Sequence, residues 1–571
     1  MSDDRAVRPV MYEIIEFLRT GSESSGGRSL CVTDGVRQAS NGAPLSRKVS
    51  ISIVFHGSIE GAAAVGSSLS FLEEDRQMGW KTVGLVAIVS VALGFLLGQN
   101  DAGDALRHKA GNAGYRLAGA VLGAAARSVD SDLRVQILAE SPELFEALRR
   151  GGSFGGKFSA KAARGMFSRD AEAIEDVRDK TEIIEIAPRT WQIRFPIVNA
   201  SLFETDAGLV LVDTGMSPAG PALLDAIREV SDKPLHTVIY THGHVDHSYG
   251  AWALLEAGAQ PVQIVAHEKL LSRFDRYLRL RGSMARYMSQ PLEHLPRGPE
   301  DLVWPTRTFD GERLDLEVGG EKFILYHYPA ETDDQLFVWV PGRRILQSAD
   351  YYQGFLPNAG NGKRVQRYVE SWVLALRKMV SLDPRILLPG HGEALTDPSE
   401  ITENLTVLAD ALEFIVDHSL AGLNRGLRKD EVVNSLVLPE SLANHPTLQV
   451  QYVTPQDIAK MIIRQYTGWW NDLPSQWSPA PVASQGRMVV ELAGGMDRLV
   501  EEARARMEPD VRLASQLADY AFIAYPDDPR AQQLADEVYR ARILDPMSNT
   551  MEIAAYLDVL TEVRMRQQER Q

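Results

Sequence analysis

Cysteine is nearly absent from this chain, which has 1 Cys, Cys31, among 571 residues. A single cysteine excludes a disulfide within the chain, and it also excludes a zinc site built from several thiolates. It does not identify the cellular compartment, because many exported proteins also lack disulfides.

The chain also lacks an excess of positive charge. Its 60 Lys and Arg residues are outnumbered by 76 Asp and Glu residues, which gives a net charge of −16 and a pI near 5.3. Nucleic acid is therefore not expected as the main partner. The hydrophobic content of 44% and the charged content of 24% are ordinary for a globular protein, and a length of 571 residues predicts more than one domain.

One long stretch, Thr82–Asn100 (TVGLVAIVSVALGFLLGQN), carries no charged residue. A run of this length is just sufficient to cross a bilayer as a helix, and it has no polar face, so we predict a membrane-spanning or signal-anchor segment over residues 78–100. A buried core helix is the alternative. If translation began at Met78, the segment would resemble a secretory signal or anchor. We expect a membrane-anchored or exported protein, on the periplasmic or extracytoplasmic side, although the flanking charges do not fix the orientation.

The rest of the chain divides by its patterns. Residues 1–77 contain Ser/Gly-rich stretches, so we predict that they are mostly disordered. Residues 101–180 are rich in Ala and Gly, and we predict that they form a helical connector. Strand-like runs alternate with helices over residues 181–400, which predicts a layered α/β domain with its loops along one sheet edge. Residues 401–545 predict helices without strands, hence a separate α-domain, and residues 546–571 predict a charged tail.

The strongest local pattern is Tyr240–His247 (YTHGHVDH), which directly follows the apolar, β-branched run Leu235–Tyr240. It places His242, His244, Asp246 and His247 within one short loop at the end of a predicted strand, in a chain with only 12 histidines. Imidazoles and a carboxylate are ligands suited to a borderline metal such as zinc. We interpret the loop as a metal site, against the alternative of a polar loop that happens to be rich in histidine.

Asp213-Thr214-Gly215 followed by this loop resembles the signature of the metallo-β-lactamase fold. The resemblance implies an αββα sandwich with a two-metal site between its sheets. His242 and His244 would bind one metal, and Asp246 and His247 would contribute to the second. It further implies that Asp213 orients the loop and its imidazoles.

The later ligands resemble those of the alkylsulfatase branch of this fold. Glu331 stands where many members carry a histidine, Asp350 stands where the fold has a bridging carboxylate, and His391 in PGHG matches the last ligand. A rival assignment makes His327 the ligand instead of Glu331. The resemblance extends over residues 180–545 through four further segments: Asp350–Asn358, Trp372–Met379, Tyr466–Trp470 and Leu492–Gly495. The last two resemble the alkylsulfatase dimerisation domain, which implies a homodimer, although Trp469 and Trp470 could instead be core residues.

The resemblance implies two Zn²⁺ per chain, a metal-activated water, Asp246 and Asp350 as catalytic carboxylates, and a small amphiphilic ester as substrate, foremost an alkyl sulfate. One departure weakens the sulfate prediction, because Asn361-Gly362 stands where relatives have an Arg-Gly pair that contacts sulfate. The remaining candidate contacts to the substrate are Arg281, Arg286, Asn358, Lys363 and Arg364. A thioester, lactone or phosphoester substrate therefore stays open, as does a non-catalytic, metal-retaining binding protein, and Fe or Mn could replace zinc.

Overall fold

The computed structural model describes residues 28–36, 47–55, 67–73 and 165–569, except 259, 260, 262, 289, 546 and 547. The chain forms two compact units, Met1–Ser128 and Val129–Gln571. In the first unit three strands, β1 (Arg28–Val36), β2 (Arg47–Phe55) and β3 (Ser67–Glu73), pair as an antiparallel sheet. Residues 1–77, predicted to be mostly disordered, thus include three strands; one of them, RKVSISIVF, alternates apolar and polar residues as strands do.

The predicted membrane segment, residues 78–100, lies outside the described residues, as does the connector up to residue 164. Among the residues that the structure does describe, no helix combines the length and the apolar composition needed to span a bilayer.

The second unit is built around two sheets. The first sheet contains β4 (Glu182–Ala187), β5 (Thr190–Arg194), β6 (Asn199–Thr205), β7 (Gly208–Val212), β8 (Leu235–Ile239), β9 (Gln263–His267) and β10 (Arg307–Phe309). These strands lie side by side in the order β10-β9-β8-β7-β6-β5-β4. Neighbours from β4 to β7 run antiparallel, whereas neighbours from β7 to β10 run parallel. Strands and helices thus occur together within residues 181–400, as predicted.

The second sheet contains β11 (Arg313–Val318), β12 (Glu321–His327), β13 (Leu336–Val340), β14 (Ile345–Ala349) and β15 (Ile386–Pro389). These strands lie in the order β11-β12-β13-β14-β15 and run antiparallel, except for the parallel pair β14 and β15. Apolar side chains of both sheets, such as Val212 and Ile239 from the first and Leu325 and Val338 from the second, form one buried cluster between them. The two sheets therefore pack face to face.

Helices cover the outer face of each sheet. Over the first sheet lie α1 (Ala171–Asp179), α2 (Gly220–Val230), α3 (Val245–Ser248), α4 (Ala251–Glu256), α5 (Lys269–Arg279) and α6 (Arg281–Met288). Over the second lie α7 (Val369–Ser381) and α8 (Pro398–Asn424), whose buried Trp372 and Leu405 share a cluster with Phe337. The predicted αββα sandwich is confirmed.

The C-terminal part is entirely helical, also as predicted. It contains α9 (Lys429–Asn434), α10 (Glu440–Ala443), α11 (Pro455–Tyr466), α12 (Val482–Leu492), α13 (Met496–Arg504), α14 (Val511–Ala524), α15 (Pro529–Leu544) and α16 (Thr550–Gln568). α12 and α13 are separate helices, because Gly494 and Gly495 between them adopt φ of 91° and 114°, which a helix does not tolerate. The predicted tail contains α16, which buries Ile553, Leu560 and Val563.

Five loops that leave strand ends meet at one edge of the sandwich. They follow β7, β8, β12, β14 and β15, and they carry the candidate site residues. Two residues at these ends adopt the left-handed conformation although neither is glycine: Asp213 with φ 63° and Ala349 with φ 47°. Such backbone is sparsely populated and is retained where the surrounding structure fixes it, often at functional sites.

Candidate metal centre

The loop after β8 brings its imidazoles together. His242 and His244 are both close to the sheet edge, with Nε2 of His242 2.9 Å from Nδ1 of His244. α3 then turns Asp246 and His247 toward the same space, and the ring centres of His242 and His247 are 4.2 Å apart. His242 and His247 have no exposed surface. Burying several imidazoles next to one another costs free energy unless a common partner binds their ring nitrogens.

Asp213 holds this loop in place, as the sequence led us to expect. Its Oδ1 accepts a hydrogen bond from the backbone N–H of Thr241 at 2.8 Å, and its Oδ2 accepts one from the Thr241 hydroxyl at 2.8 Å. The same Oδ2 lies 2.8 Å from Nδ1 of His247, where an N–H donates to it. The imidazole is thereby fixed with Nε2 directed into the site, which is the arrangement that orients a metal-binding histidine.

All seven predicted ligands come together, in two sets of potential donors. His242, His244, Glu331 and Asp350 form one set; Asp246, His247 and His391 form the other. Asp350 also contacts the second set, with its Oδ1 3.2 Å from His247 Nε2 and its Oδ2 3.2 Å from His391 Nε2. The carboxylate of Asp350 is therefore placed between the sets, as a bridging ligand would be.

Glu331, and not His327, joins the first set. His327 stacks on His267 with ring centres 3.6 Å apart, and its Nδ1 lies 2.9 Å from the backbone oxygen of Gln335. Glu331 is nearly buried, and its backbone N–H donates to the Gln335 side chain at 2.8 Å. The rival assignment, in which His327 is the ligand, is therefore not supported by its position, because His327 is the last residue of β12.

Several potential ligand atoms at the centre lack a well-formed hydrogen bond. Among the described residues, these buried atoms are His247 Nε2, Glu331 Oε2 and Asp350 Oδ1, although His247 Nε2 and Asp350 Oδ1 face each other at 3.2 Å. Unsatisfied buried polar atoms are rare and costly, and three of them converge here. A nitrogen and two carboxylate oxygens are ligand atoms that divalent zinc accepts, so the residues fit a metal centre.

The charges around the centre also favour a cation. Burial, followed by the neighbouring His247, lowers the pKa of His242 well below its usual value. Burial opposes the charged form of His247 and His391 too, yet the neighbouring carboxylates, Asp350 foremost and then Asp246, together raise the pKa of His391 to about 9 and that of His247 well above its usual value. Burial raises the pKa of Glu331, and the neighbouring Arg367 opposes this shift. In a site without metal, protons on two imidazoles thus take the place of a cation between the carboxylates.

A second pair of residues supports the His242–His244 segment from the opposite side. Asp334 accepts a hydrogen bond from the backbone N–H of Gly243 at 2.7 Å, and the guanidinium of Arg273 lies 3.3 Å from the same carboxylate. Arg273 passes so close that a Cβ on Gly243 would lie 3.2 Å from its side chain. A side chain at Gly243 would therefore press on Arg273.

A cavity of about 280 Å³ opens beside the donor sets. Three predicted substrate contacts line it, namely Asn358, Lys363 and Arg364. Two others do not: Arg281 donates to the backbone oxygens of Leu292 and Leu295, and Arg286 is exposed on α6. The prediction for Arg281 and Arg286 is therefore not supported by their positions, because α6 directs Met284 and Met288, rather than its arginines, to the cavity.

Some cavity residues were missed by sequence reasoning. Arg273 and Arg276 come from α5, Gln353 follows β14, and Arg367 precedes α7. Gln353 donates to Oδ2 of Asp350 at 2.9 Å. The i, i+3 spacing of Arg273 and Arg276 places them on one helix face, which is the only local pattern that could have indicated them.

Asn361 has a structural role in this chain. Its side-chain amide donates to Asn358 Oδ1 at 2.8 Å, and its oxygen accepts from the backbone N–H of Lys363 at 2.9 Å. These bonds shape the turn that brings Arg364 to the cavity. This chain thus has Asn361 where an arginine was expected from the family resemblance, but Arg364, three residues later, lines the cavity.

Comparison with known proteins agrees with this architecture. Residues 193–391 match the model of the metallo-beta-lactamase superfamily, and residues 428–565 match that of the alkyl sulfatase dimerisation domain. The fold and the site thus define a hydrolase of the metallo-β-lactamase superfamily. The chain is 30% identical over 367 residues to a linear primary-alkylsulfatase of Pseudomonas sp., covering 59% of this chain and 69% of that one. It belongs to the alkylsulfatase family.

Other relatives agree on the family. The alkyl/aryl-sulfatase BDS1 of Saccharomyces cerevisiae is 23% identical over 386 residues, which cover 62% of this chain and 59% of the yeast protein. The solved structure of the inverting sec-alkylsulfatase Pisa1 from Pseudomonas sp. superimposes with a TM-score of 0.60 at 20% identity, over 76% of this chain and 77% of that one. At that identity the superposition establishes the shared fold.

Proposed function

We propose that this chain hydrolyses an alkyl sulfate ester to an alcohol and sulfate, at a centre of two zinc ions held by His242, His244, Asp246, His247, Glu331, Asp350 and His391. The observation that carries the proposal is a pair of guanidinium groups, Arg276 and Arg364, beside a complete donor set. Within the described part of the chain, neither guanidinium forms an ion pair with a carboxylate. Both line the cavity.

The two arginines favour an anionic substrate group. Burial, followed by the neighbouring Arg367, lowers the pKa of Arg364, and burial also lowers that of Arg276. Partly buried cations that repel one another are stabilised when an anion binds between them. A sulfate ester stays anionic at any physiological pH, and its oxygens can accept forked hydrogen bonds from arginine. Asn358 and Lys363 lie on the same wall, although Lys363 also pairs with Asp558 at 2.9 Å.

The remaining cavity wall suits an alkyl chain. It consists of apolar and aromatic side chains from α6, from the segment before α11 and from the start of α16: Met284, Tyr287, Met288, Tyr452 and Met551. Burying alkyl carbons there stabilises binding by about 0.8 kcal/mol per methylene group. Methionine adapts its shape easily, which suits chains of different length. The helical part thus contributes to the substrate site.

Two zinc ions at this centre would act as Lewis acids and supply a nucleophilic water near neutral pH. The chain's own residues hold the reacting groups: the arginines bind the anionic ester, and Asp213 and Gln353 fix His247 and Asp350. Asp246 Oδ2, at 3.7 Å from His247 Nε2 and 3.6 Å from His391 Nε2, faces the same space as Asp350. These two carboxylates are the groups we assign to proton transfer.

The test combines metal content with a hydrolysis panel. Elemental analysis should find two zinc ions per chain, and a long-chain alkyl sulfate should release sulfate in a metal-dependent reaction. A thioester, a lactone and a phosphoester of the same chain length complete the panel. Metal with activity only on one of those esters contradicts the sulfate assignment, and metal without any activity favours a binding protein.

Assembly and location are also part of the proposal. The match to the dimerisation domain supports a homodimer formed through residues 428–565. The apolar run at residues 82–100 supports a protein anchored in the membrane or exported across it. Fractionation of native cells, with mass spectrometry of the mature N-terminus, tests this; a chain recovered with Met1 in the soluble cytoplasmic fraction contradicts it.

A further inference from the structure

Arg367 is the most deeply buried cation next to the metal centre. Its side chain is among the largest that are fully enclosed, with 1% of the residue exposed. Its guanidinium forms an ion pair with Oε1 of Glu331 and also donates to the backbone oxygen of Asn358. A buried guanidinium is stable only when its charge and its N–H groups are matched in this way.

Because of this ion pair, the two carboxylate oxygens of Glu331 have different surroundings. Oε1 contacts Arg367, whereas Oε2 is buried and has no hydrogen-bond partner among the described residues. The backbone of Glu331 is held as well, since its N–H donates a hydrogen bond to Gln335 Oε1 at 2.8 Å. Only one carboxylate oxygen of Glu331 therefore remains free toward His242, His244 and Asp350, its partners in the first donor set.

We infer that Arg367 is a positioning residue, which restricts Glu331 to binding the first metal through a single oxygen and offsets the charge of that carboxylate. The inference rests on the proposed two-metal centre. Three carboxylates, those of Asp246, Glu331 and Asp350, belong to the donor sets. They would cancel most of the charge of two divalent ions, and a nearly neutral centre binds an anionic ester poorly. A fixed guanidinium beside Glu331 restores positive charge on the side where the substrate binds.

Arginine is suited to this role because one planar guanidinium can reach two acceptors in a fixed geometry. Here the second acceptor, the Asn358 backbone oxygen, belongs to the turn that presents Arg364. The same side chain thus links the metal ligand Glu331 to the segment that contacts the substrate. A lysine has one compact charge and cannot hold both acceptors in the same way.

The test measures zinc binding, separately from any activity. The variants are R367M and R367K, and R343M is the matched control. Arg343 also pairs with a glutamate, Glu321, at 2.7 Å from its Nε, and donates to backbone oxygens, but it lies in the turn before β14, at the other end of the strand from Asp350. Zinc stoichiometry after dialysis and zinc affinity by chelator competition are compared for the four proteins.

We expect R367M to hold one zinc ion tightly and to bind the other about 10- to 100-fold more weakly, as for residues that orient metal ligands. R367K should fall between R367M and the original chain, and R343M should bind both ions normally. In an E331A background, R367M should weaken zinc binding no further, because both changes act on the same ligand.

Unchanged affinity for both ions in R367M overturns the inference, and so do additive effects in the E331A background. If R367M fails to fold, R367K decides: affinity equal to the original chain overturns the assignment. A chain that binds two zinc ions but releases no sulfate contradicts the proposed substrate and leaves this inference standing. If the original chain itself binds fewer than two zinc ions, the inference about Arg367 is overturned.

Discussion

Oδ1 of Asp350 lies 3.2 Å from Nε2 of His247, although the two residues follow strands of different sheets. His247 comes from the loop after β8 in the first sheet, and Asp350 directly follows β14 in the second. The site therefore forms only when the two sheets pack together. This dependence explains why its residues are spread over a long stretch of the chain and yet converge at one edge.

Replacing Asp350 with alanine should abolish turnover. The carboxylate contacts both donor sets, so its loss leaves His247 and His391 without their shared partner and lowers the rate on the order of 1,000-fold or more. Elemental analysis should show fewer than two zinc ions per chain. Asp315→Ala is the control, since Asp315 is a half-exposed carboxylate on β11 that pairs with Arg313 and lies outside both donor sets. A fully active Asp350→Ala variant would show that the ligand assignment is wrong.

Arg364→Ala should raise KM for an alkyl sulfate about tenfold or more, with a smaller change in kcat. The reason is that a charge-assisted hydrogen bond to an anionic ligand contributes about 1.5–3 kcal/mol. Steady-state kinetics with Arg276→Ala should give the same direction. Arg286→Ala is the matched control, because this arginine is exposed on α6 and does not line the cavity. A KM that rises equally for Arg286→Ala would mean that only overall charge matters.

Zinc binding should release protons. Against the effect of burial, Asp350 and Asp246 together raise the pKa of His391 to about 9 and that of His247 well above its usual value. We therefore expect both imidazoles to carry protons at pH 7 in the metal-free chain, whereas a ligand histidine must be neutral. Affinity should rise with pH and level off above about 9, by about 1.4 kcal/mol per pH unit for each proton displaced.

Calorimetric titration of the metal-free chain, in two buffers with different ionisation enthalpies at pH 7, measures this release. We expect more than one proton per chain. A binding enthalpy that does not depend on the buffer, together with an affinity constant between pH 6.5 and 8, would exclude protonated imidazoles in the metal-free site.

The parts of the site that could be predicted from sequence are those whose ligands follow strand ends in short patterns. The loop His242–His247 is readable because its ligands are neighbours in the chain, and His391 is readable from its Pro-Gly-His-Gly context. Arg367 and Arg273 were not predicted, because their importance depends on which carboxylates tertiary packing brings to them. Arg281 was predicted as a substrate contact, and this prediction failed because its guanidinium donates instead to backbone oxygens of the following loop, which only the folded chain brings to it.

The C-terminal helical part shows the same limit. Its helices were predictable from apolar spacing, but the exposure of its aromatic residues was not. Trp469 is 75% exposed and Trp477 is 63% exposed, and their rings lie 5.7 Å apart in the segment between α11 and α12. The alternative in which Trp469 belongs to the core is therefore wrong, because the turn after α11 directs it outward.

This exposed pair gives the last prediction. Residues 428–565 match a dimerisation domain, and exposed aromatic side chains are enriched at the centres of subunit interfaces. A variant with Trp469→Ser and Trp477→Ser should shift the protein from dimer to monomer, because each buried tryptophan in such an interface contributes about 2 kcal/mol or more.

Sedimentation velocity over a range of concentrations measures the shift, and we expect the dimer dissociation constant to rise at least 100-fold. Leu374→Ser is the control, since Leu374 is 59% exposed on α7, outside the dimerisation match. If the double variant remains a dimer at the lowest concentration at which the original chain does, the subunits pair through another face. In that case both tryptophans face solvent in the dimer, and a fluorescence quencher should reach them equally in both states.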